Sequence, residues 1–395
     1  MKNIIYILLF SILISCNEEF CGQYPIDNTT PAQVTDIKVE NLNGKVKISY
    51  SLPDETDLLY VKAVYSNTIG EKKEERSSVF QNAIELKGFG KSKKQTINLY
   101  TVDRSRNESS PIEIEIEPLD SPIYGIYSSI KTASSWGGFK INWENIENEQ
   151  IIVKVLALNE DNTWNEFETY YSTETSAAKA IRGLDTIPQT FAVLVKDVYE
   201  NYTDTFKTTV TPLYEIEIPS KTFKELPINP AYILSVWGGV FSNLFDYKIA
   251  TKNDDSQKCY YLAPGNAKNP YFSIDLGVTC KLSRFKYWGR CKYAYSLHNP
   301  KYFDVWGTND PDAVVNPENW DGWELIKECE SYKPSGNDNI TVTSEDYAYA
   351  ESGEEYEIDD NIPPYRYIRF RCPESWTKSN GFLMSELRFW GKIVQ

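Results

Sequence analysis

An internal repeat in the first half of the chain limits the possible folds more than any other feature. Residues 44–50 (Gly-Lys-Val-Lys-Ile-Ser-Tyr) match 138–143 (Gly-Phe-Lys-Ile-Asn-Trp), and the terminal aromatic residue moves from position 50 to position 143, an offset of 93. The pattern Asp-x-x-x-Asn-x-Ser/Thr at 103–109 recurs at 197–203, an offset of 94. A near-constant offset of domain length predicts two tandem domains of one architecture.

Both repeats consist of short runs in which apolar and polar residues alternate. Such period-two runs predict half-buried strands, and clusters of Asn, Asp, Gly and Pro separate them. About seven short strands in about ninety residues are typical of an immunoglobulin-like or fibronectin type III sandwich. Acidic stretches bounded by Pro at 111–122 and 212–230 place the domain boundaries near residues 118 and 219.

The Asp-x-x-x-Asn-x-Ser/Thr element resembles the turn after the F strand in fibronectin type III domains of secreted bacterial proteins. In such turns the Asp and Asn side chains hydrogen-bond their own backbone. A single carboxylate on a hairpin lacks a partner for acid-base chemistry. Asp103 and Asp197 are therefore predicted to shape turns and not to catalyse a reaction.

Residues 1–15 have the pattern of a signal peptide. Lys2 precedes an apolar run at 4–14 that is too short for a stable membrane span. The run ends in Leu-Ile-Ser-Cys, which resembles a bacterial lipobox and implies lipidation of Cys16, with a tether over 16–30. The following acidic residues resemble the surface-export signals of Bacteroidetes lipoproteins, which implies an outward-facing outer-membrane lipoprotein held only by its lipid anchor. The alternative is an ordinary secretory signal that ends at a cysteine.

Charge and motifs exclude several classes of function. The chain has 41 basic and 56 acidic residues, a net charge of −15, which disfavours nucleic acid as a partner. It has one histidine, and no G-x-S-x-G, P-loop or H-E-x-x-H motif occurs. A glycosidase with paired carboxylates stays open on composition. Because no acidic residue lies in a recognised catalytic context, the sequence predicts a non-catalytic protein.

The region after residue 220 has longer loops and more Trp. Apolar residues of its runs fall at period two and are predicted to face one core; they are Phe303, Val305, Ile368, Phe370, Leu387 and Phe389. Six segments follow in order: Ile274–Gly277, Leu282–Arg290, Tyr302–Asn309, Trp323–Ile326, Tyr365–Arg371 and Ser385–Gly391.

Together these segments resemble the discoidin or coagulation-factor C-type domain, a family that includes galactose-binding carbohydrate-binding modules. The resemblance covers roughly residues 230–395 and implies an eight-stranded jelly-roll sandwich. The predicted fold class is all-β: two tandem immunoglobulin/fibronectin III-like sandwiches (31–118 and 119–219) followed by a discoidin-like jelly-roll β-sandwich (220–395).

In sugar modules of this family the ligand binds at loops at one end of the sandwich. The loop at residues 290–299 has the residue types that such binding requires. Aromatic rings there can stack on a sugar face while polar groups fix its hydroxyls. The candidate ligand-binding residues are Arg290, Tyr293, Tyr295, His298, Asn299 and, from a second loop, Trp376. The alternative for His298 is a solvent-exposed or capping loop residue. Trp288 and Trp306 lie within strand patterns and are predicted to belong to the core.

The family also places a structural calcium between a loop ahead of the first core strand and the Glu of the last strand. Here that implies Asp246 and Glu386, with Thr251 adding its hydroxyl, all oxygen ligands of the kind Ca²⁺ selects. The sequence Asp-Tyr-Lys at 246–248 departs from the family's Asp-Gly-Asn, and Lys248 would repel a cation. The alternative is a solvated loop Asp and a hydrogen-bonded Glu.

The cysteines lack the spacing of a zinc site. Most of them follow residue 258. One interpretation is a disulfide of an exported protein, with Cys280 and Cys291 as the candidate pair. The other is buried thiols that stay unpaired.

The predicted function is non-catalytic glycan binding at the cell surface. The architecture resembles proteins of Bacteroidetes polysaccharide-utilisation systems, which implies carbohydrate as the ligand and an outer-membrane transporter complex as a protein partner. The alternative is an adhesion or assembly protein whose C-terminal domain binds a protein, with the sandwiches as spacers. A concave patch formed by the candidate aromatic residues would favour glycan, and a broad flat apolar surface would favour a protein.

Overall fold

A computed structural model describes residues 27–233, 238–254, 259–263, 268–337 and 341–394. Strands make up most of the regular structure, so the all-β prediction is confirmed. Within these ranges no helix is long and apolar enough to cross a membrane. The predicted signal peptide and Cys16 lie outside the described residues. The predicted domain boundaries stay predictions.

The chain divides into two compact units. The first contains residues up to 132 together with 141–179 and 189–209. The second contains residues 133–140, 180–188 and 210–395. The candidate ligand-binding and calcium-binding residues all belong to the second unit.

The first repeat forms seven strands in two sheets. One sheet has the order β1-β2-β5 and the other the order β4-β3-β6-β7. Apolar residues at alternate positions, such as Val46 and Ile48, are completely buried between them, because period two places them on one face. The strands are β1 (Thr35–Leu42), β2 (Lys45–Ser51), β3 (Leu58–Ser66), β4 (Lys72–Ser78), β5 (Ala83–Lys87), β6 (Gln95–Asp103) and β7 (Ile112–Ile116).

The second repeat has the same topology, which confirms the tandem architecture. Its sheets have the orders β8-β9-β12 and β11-β10-β13-β14, so each strand takes the place of the strand seven positions earlier. A short helix, α1 (Pro122–Ser129), precedes it and begins at a proline, which the first helical turn tolerates. The strands are β8 (Lys131–Ser135), β9 (Gly138–Glu144), β10 (Ile151–Leu158), β11 (Trp164–Ser172), β12 (Ser176–Arg182), β13 (Gln189–Asp197) and β14 (Phe206–Val210).

The repeated Asp-to-Asn element builds the same turn twice. Asp103 Oδ1 accepts a hydrogen bond from the backbone N–H of Asn107 at 2.8 Å, and its Oδ2 accepts from the Asn107 amide at 2.9 Å. Asp197 accepts the equivalent bonds from Asn201 at 3.0 and 2.8 Å. The residue before each Asn has a positive φ, 66° and 67°. The predicted structural role of both aspartates is confirmed.

The described residues of the C-terminal region form a network of eight strands and a separate pair. The network has the order β15-β24-β18-β22-β19-β20, with β16 and β21 also paired to β18, while β17 pairs with β23. The strands are β15 (Ile216–Glu217), β16 (Lys224–Glu225), β17 (Tyr260–Leu262), β18 (Tyr271–Trp288), β19 (Pro300–Thr308), β20 (Glu324–Glu330), β21 (Glu354–Glu357), β22 (Tyr365–Ser375), β23 (Phe382–Met384) and β24 (Glu386–Ile393).

Strand β18 organises this region because it changes partner along its length. Its first part pairs with β22 and its second part with β24, and Gly277 lies between them at φ 75°. All six apolar residues predicted to face the core are buried, and Phe370 packs on Phe272, Phe285 and Phe389. Trp288 is buried as predicted, whereas Trp306 is half-buried.

A second helix, α2 (Ser344–Ser352), begins at a capping box. The Thr343 hydroxyl accepts from the Asp346 N–H, and the Asp346 carboxylate accepts from the Thr343 N–H. Asp346 also accepts two hydrogen bonds from Ser335, at 2.9 and 2.7 Å. Burial alone would raise the pKa of Asp346, but these hydrogen bonds outweigh it and lower that pKa to about 2. Asp346 thus ties the start of α2 to the loop after β20.

The candidate disulfide between Cys280 and Cys291 is wrong. Cys280 lies within β18 and Cys291 follows its end, so they are separated by about eight residues of extended strand, roughly 26 Å. A disulfide requires Cα atoms within about 7 Å. Cys280, Cys291, Cys329 and Cys372 are free and buried thiols.

Candidate functional site

The predicted binding loop at 290–299 is held in shape by the side chain of Asn299. The loop leaves β18 through a short 3₁₀ turn, Cys291–Tyr293. The buried Asn299 accepts a hydrogen bond from the N–H of Arg290 at 2.8 Å and donates to the carbonyls of Tyr293 and Ser296 at 2.8 and 3.1 Å. Because these bonds use both ends of its amide, Asn299 positions the loop and does not face a ligand in this arrangement.

Two of the predicted residues, Tyr295 and Trp376, lie together. Their rings meet edge to face with centroids 5.1 Å apart. The backbone N–H of Trp376 donates to the backbone carbonyl of Asn299 at 3.0 Å, and this hydrogen bond joins the two loops. Tyr295 donates its hydroxyl to the carbonyl of Asp346 at 3.3 Å, and burial raises the pKa of this phenol. Two loops that the sequence singled out therefore lie together in the structure.

Arg290 and Tyr293 form a second contact at the start of the loop. The guanidinium carbon of Arg290 lies 4.7 Å from the centroid of the Tyr293 ring, a cation–π distance. The Tyr293 ring is exposed. Both side chains stay candidates for ligand contact.

His298 belongs to a different set of contacts. Its ring stacks on Tyr261 with centroids 5.2 Å apart, and its Nδ1 forms a hydrogen bond with the Ser379 hydroxyl. Burial lowers the pKa of His298 from 6.5, so the imidazole is neutral at pH 7. These contacts suit a side chain that packs β17 against the loop after β22, and they differ from those of Tyr295 and Trp376.

The structure adds residues that the sequence did not indicate. Tyr302 in β19 and Tyr332 after β20 are 39% and 57% exposed. The ammonium of Lys301 lies 5.2 Å from the ring centroid of Tyr302 and 5.4 Å from that of Trp376. Tyr302 donates its hydroxyl to Glu330 at 3.1 Å. We call Tyr295, Lys301, Tyr302, Tyr332 and Trp376 the aromatic surface.

The space beneath the aromatic surface is small. A cavity of about 20 Å³ lies under Tyr295 and Trp376, with Ser331 and Glu354 in its wall. That volume holds about one water molecule. A sugar ring cannot enter it, so a ligand at this site has to lie on the exposed rings.

A buried carboxylate, Glu354, supports the aromatic surface from below. Its oxygens accept hydrogen bonds from the hydroxyls of Tyr287 and Ser331, at 3.0 and 2.6 Å. They also accept from the N–H of Tyr332 at 3.0 Å and the hydroxyl of Tyr356 at 2.9 Å. Burial raises the pKa of Glu354, and these donors oppose the rise.

The residues predicted to bind calcium do not fit a calcium site as they are arranged. Glu386 is fully buried and accepts hydrogen bonds from Arg388 Nε and the N–H of Tyr247, both at 3.1 Å. Asp246 accepts from the N–H of Lys248 and pairs with its ammonium at 3.6 Å. In the described ranges no three His, Cys, Asp or Glu side chains cluster as metal ligands. Calcium needs six to eight oxygens, and here two cations lie beside the carboxylates.

We expect calcium to leave stability unchanged. Adding 5 mM CaCl₂ or EDTA should shift the midpoint of thermal unfolding by less than about 1 °C, since Arg388 already bonds Glu386 and Lys248 already pairs with Asp246. Differential scanning calorimetry in the two buffers measures this. A rise of several degrees with calcium would restore the calcium site predicted from the sequence.

Glu386 should also give stability a defined pH dependence. Burial raises its pKa from 4.5 to about 7 in the folded chain. The unfolded chain therefore loses this proton at lower pH, and the stability that depends on it is fully present below about pH 4.5 and lost as pH rises through 7. Glu386→Gln removes this titration. The difference in unfolding midpoint, variant minus wild type, should therefore increase from pH 5 to pH 8. A difference that stays constant with pH would contradict the raised pKa of Glu386.

Three sequence families of unknown function match the chain. They are DUF4959 at residues 31–118, DUF5126 at 119–221 and DUF5000 at 251–391. Each match covers less than half of the chain. No curated protein sequence matches.

Similar solved structures include a SusE-like protein, which is 29% identical, with a TM-score of 0.44 over 68% of this chain and 98% of that one. The C-terminal domain of a chitobiase from Bacteroides fragilis is 15% identical, with a TM-score of 0.32 over 46% of this chain and 100% of that one. The CBM32-3 domain of a family 31 glycoside hydrolase from Clostridium perfringens is 15% identical, with a TM-score of 0.31 over 45% and 95%.

Proposed function

We propose that the chain is a non-catalytic glycan-binding protein that holds carbohydrate on the aromatic surface. The observation that carries this proposal is one lysine that lies close to two aromatic rings at the surface. The Lys301 ammonium lies 5.2 Å from the ring centroid of the exposed Tyr302 and 5.4 Å from that of the half-buried Trp376. The exposed Tyr332 directly follows Ser331, whose hydroxyl accepts a hydrogen bond from the Trp376 indole. Exposed aromatic rings with a few polar groups are what binds a hydroxyl-rich ligand without a deep pocket.

The chemistry of such binding follows from the residues present. The C–H face of a pyranose packs on an aromatic ring and removes apolar surface from water. The Lys301 ammonium donates to hydroxyl or ring oxygens, and the Glu330 carboxylate accepts from hydroxyls. Because the surface is open, it suits internal residues of a polysaccharide chain better than an enclosed chain end. Arg290 and Tyr293 would extend the contact toward the loop at 290–299.

The proposal includes the cellular setting. Lipidation at Cys16 after removal of residues 1–15 would anchor the chain in the outer membrane, facing outward. The sequence at 13–16 supports this. The proposal also includes a role within a polysaccharide-utilisation system, beside an outer-membrane transporter, because the domain architecture resembles that of proteins from such systems.

Affinity electrophoresis tests the proposal. The chain lacking residues 1–26 is run in native gels that contain plant, fungal or host polysaccharides, and at least one is expected to retard it. Retardation that persists in Arg290→Ala/His298→Ala would remove those two residues from the site, while Trp376 would remain. Absence of retardation in every gel would favour the adhesion or assembly function. Cleavage of a glycan, lost on replacing one carboxylate, would show an enzyme.

A further inference from the structure

A chain of hydrogen bonds connects the buried sheet to the half-buried indole of Trp376. Glu354 is 7% exposed, and its Oε1 accepts from the Ser331 hydroxyl at 2.6 Å. The oxygen of the same hydroxyl accepts from Trp376 Nε1 at 3.3 Å. Ser331 is itself buried, and its N–H donates to the carbonyl of Lys301 at 2.8 Å. One serine thus touches three strands or loops that meet at the aromatic surface.

The inner end of this chain is rigid. Glu354 starts β21, where it pairs with Tyr287 of β18, and the Tyr287 hydroxyl donates to its carboxylate. Gly353, just before it, has φ 81° and lies so close to Trp288 that a Cβ would meet the indole at 2.4 Å. A residue fixed by a sheet and a tight glycine turn cannot move without disturbing both.

The outer end is held by fewer contacts. The Trp376 ring meets Tyr295 edge to face and lies 5.4 Å from the Lys301 ammonium, two contacts with loose orientation. The hydrogen bond from Nε1 to Ser331 is directional and favours one orientation of the indole plane. The face that Trp376 presents to solvent therefore depends on Ser331.

A carboxylate suits the inner position better than an amide. Glu354 receives four donors on two oxygens: Tyr287 and Ser331 on Oε1, and Tyr332 N–H and Tyr356 on Oε2. An ionised carboxylate only accepts, so all four donors are satisfied. A Gln amide would turn its NH₂ group toward two of them.

We propose that Ser331 and Glu354 are positioning residues that orient Trp376 for stacking on a sugar ring. The inference rests on the proposed function and adds to it the source of the indole's orientation. Neither residue touches the ligand. Ser331 acts through the indole N–H of Trp376, and Glu354 acts through Ser331 and also holds the backbone N–H of Tyr332.

A double-mutant cycle tests this path. Trp376→Phe keeps an aromatic ring but removes the N–H, and Ser331→Ala removes its acceptor. Each single variant should bind the glycan that retards the wild-type chain about fivefold more weakly, because one hydrogen bond is lost. The double variant should bind no more weakly than either single variant. Ser352→Ala, at the end of α2, is the matched serine control and should bind like wild type. Independent losses that multiply would overturn the inference.

A measurement without ligand separates this inference from the proposed function. In ¹⁵N-edited NMR spectra, the Trp376 indole N–H is assigned by its absence in Trp376→Phe. Its hydrogen exchange should quicken at least tenfold in Ser331→Ala and in Glu354→Gln, at temperatures where calorimetry shows all variants folded. Unchanged exchange would overturn the inference even if glycan binds. If the indole N–H is protected in the wild-type chain but no glycan retards that chain in a gel, the proposed function is overturned and the inference about the indole stands alone.

Discussion

Replacing Trp376 by alanine is expected to weaken glycan binding at least tenfold, about 1.4 kcal/mol or more. The indole is the ring that joins the other parts of the aromatic surface, because it contacts Tyr295, lies beside Lys301 and bonds Ser331. Its removal takes away the stacking face and leaves Lys301 without one of its two rings. Isothermal titration calorimetry measures the loss of affinity, with an oligosaccharide of the polysaccharide that retards the wild-type chain as the ligand.

The control for this variant is Tyr171→Ala. Tyr171 is 78% exposed in β11 of the first unit, so its replacement removes an exposed aromatic side chain that is not part of the second unit. Binding by this variant should equal that of wild type. Equal affinities for Trp376→Ala and Tyr171→Ala would show that the aromatic surface is not the binding site.

Replacing Phe370 by alanine should cost about 3–5 kcal/mol of folding free energy, the range for a fully buried phenylalanine. Phe370 in β22 is completely buried and has ring contacts at 5.5 Å with Phe272 and at 5.4 Å with Phe285. The neighbouring rings are themselves buried in strands, so they cannot collapse into the space that is left. We expect this to be the most destabilising of the variants described here.

Guanidinium-induced unfolding measures the effect, followed by near-ultraviolet circular dichroism. Leu325→Ala is the matched control, because Leu325 lies in β20 of the same sheet but is 42% exposed. Its cost should stay below about 1 kcal/mol. Similar costs for the two variants would contradict the arrangement of this core. If the two units unfold separately, the transition that moves in Phe370→Ala identifies the second unit.

The tandem sandwiches could be predicted because their signals are local. Alternation within short runs fixes which side chains face inward, and the offset near 93 shows that one architecture occurs twice. The turn at Asp103 and Asp197 was also predictable, since its hydrogen bonds join residues four positions apart. The strand pairings of the C-terminal region could not be predicted in this way, because both partners of β18, β22 and β24, are far from it in sequence.

The candidate site could be predicted only in part. Composition located the loop with Tyr295 and the loop with Trp376, because aromatic residues in polar loops are unusual. It could not show which way each side chain points. Asn299 faces the loop's own carbonyls and His298 faces Tyr261, and both directions depend on tertiary packing.

The missed residues left a weak signal. Ser-Tyr-Lys at 331–333 directly follows a strand, where binding residues are often found, but nothing in the sequence shows that Ser331 meets Trp376. Glu354 follows a helix whose capping box, Thr343 to Asp346, can be recognised from the sequence. The Cys280–Cys291 pair failed for a related reason, since closeness in sequence along a strand means distance in space.

A crystal structure of the chain with an oligosaccharide of the polysaccharide that retards it would show directly whether the aromatic surface binds glycan. We expect a sugar ring over Trp376, with Tyr302 or Tyr332 beside it and Lys301 within hydrogen-bond distance of a sugar oxygen. A sugar bound elsewhere, for example at Tyr261 and His298 or on the first unit, with the aromatic surface left bare, would contradict it.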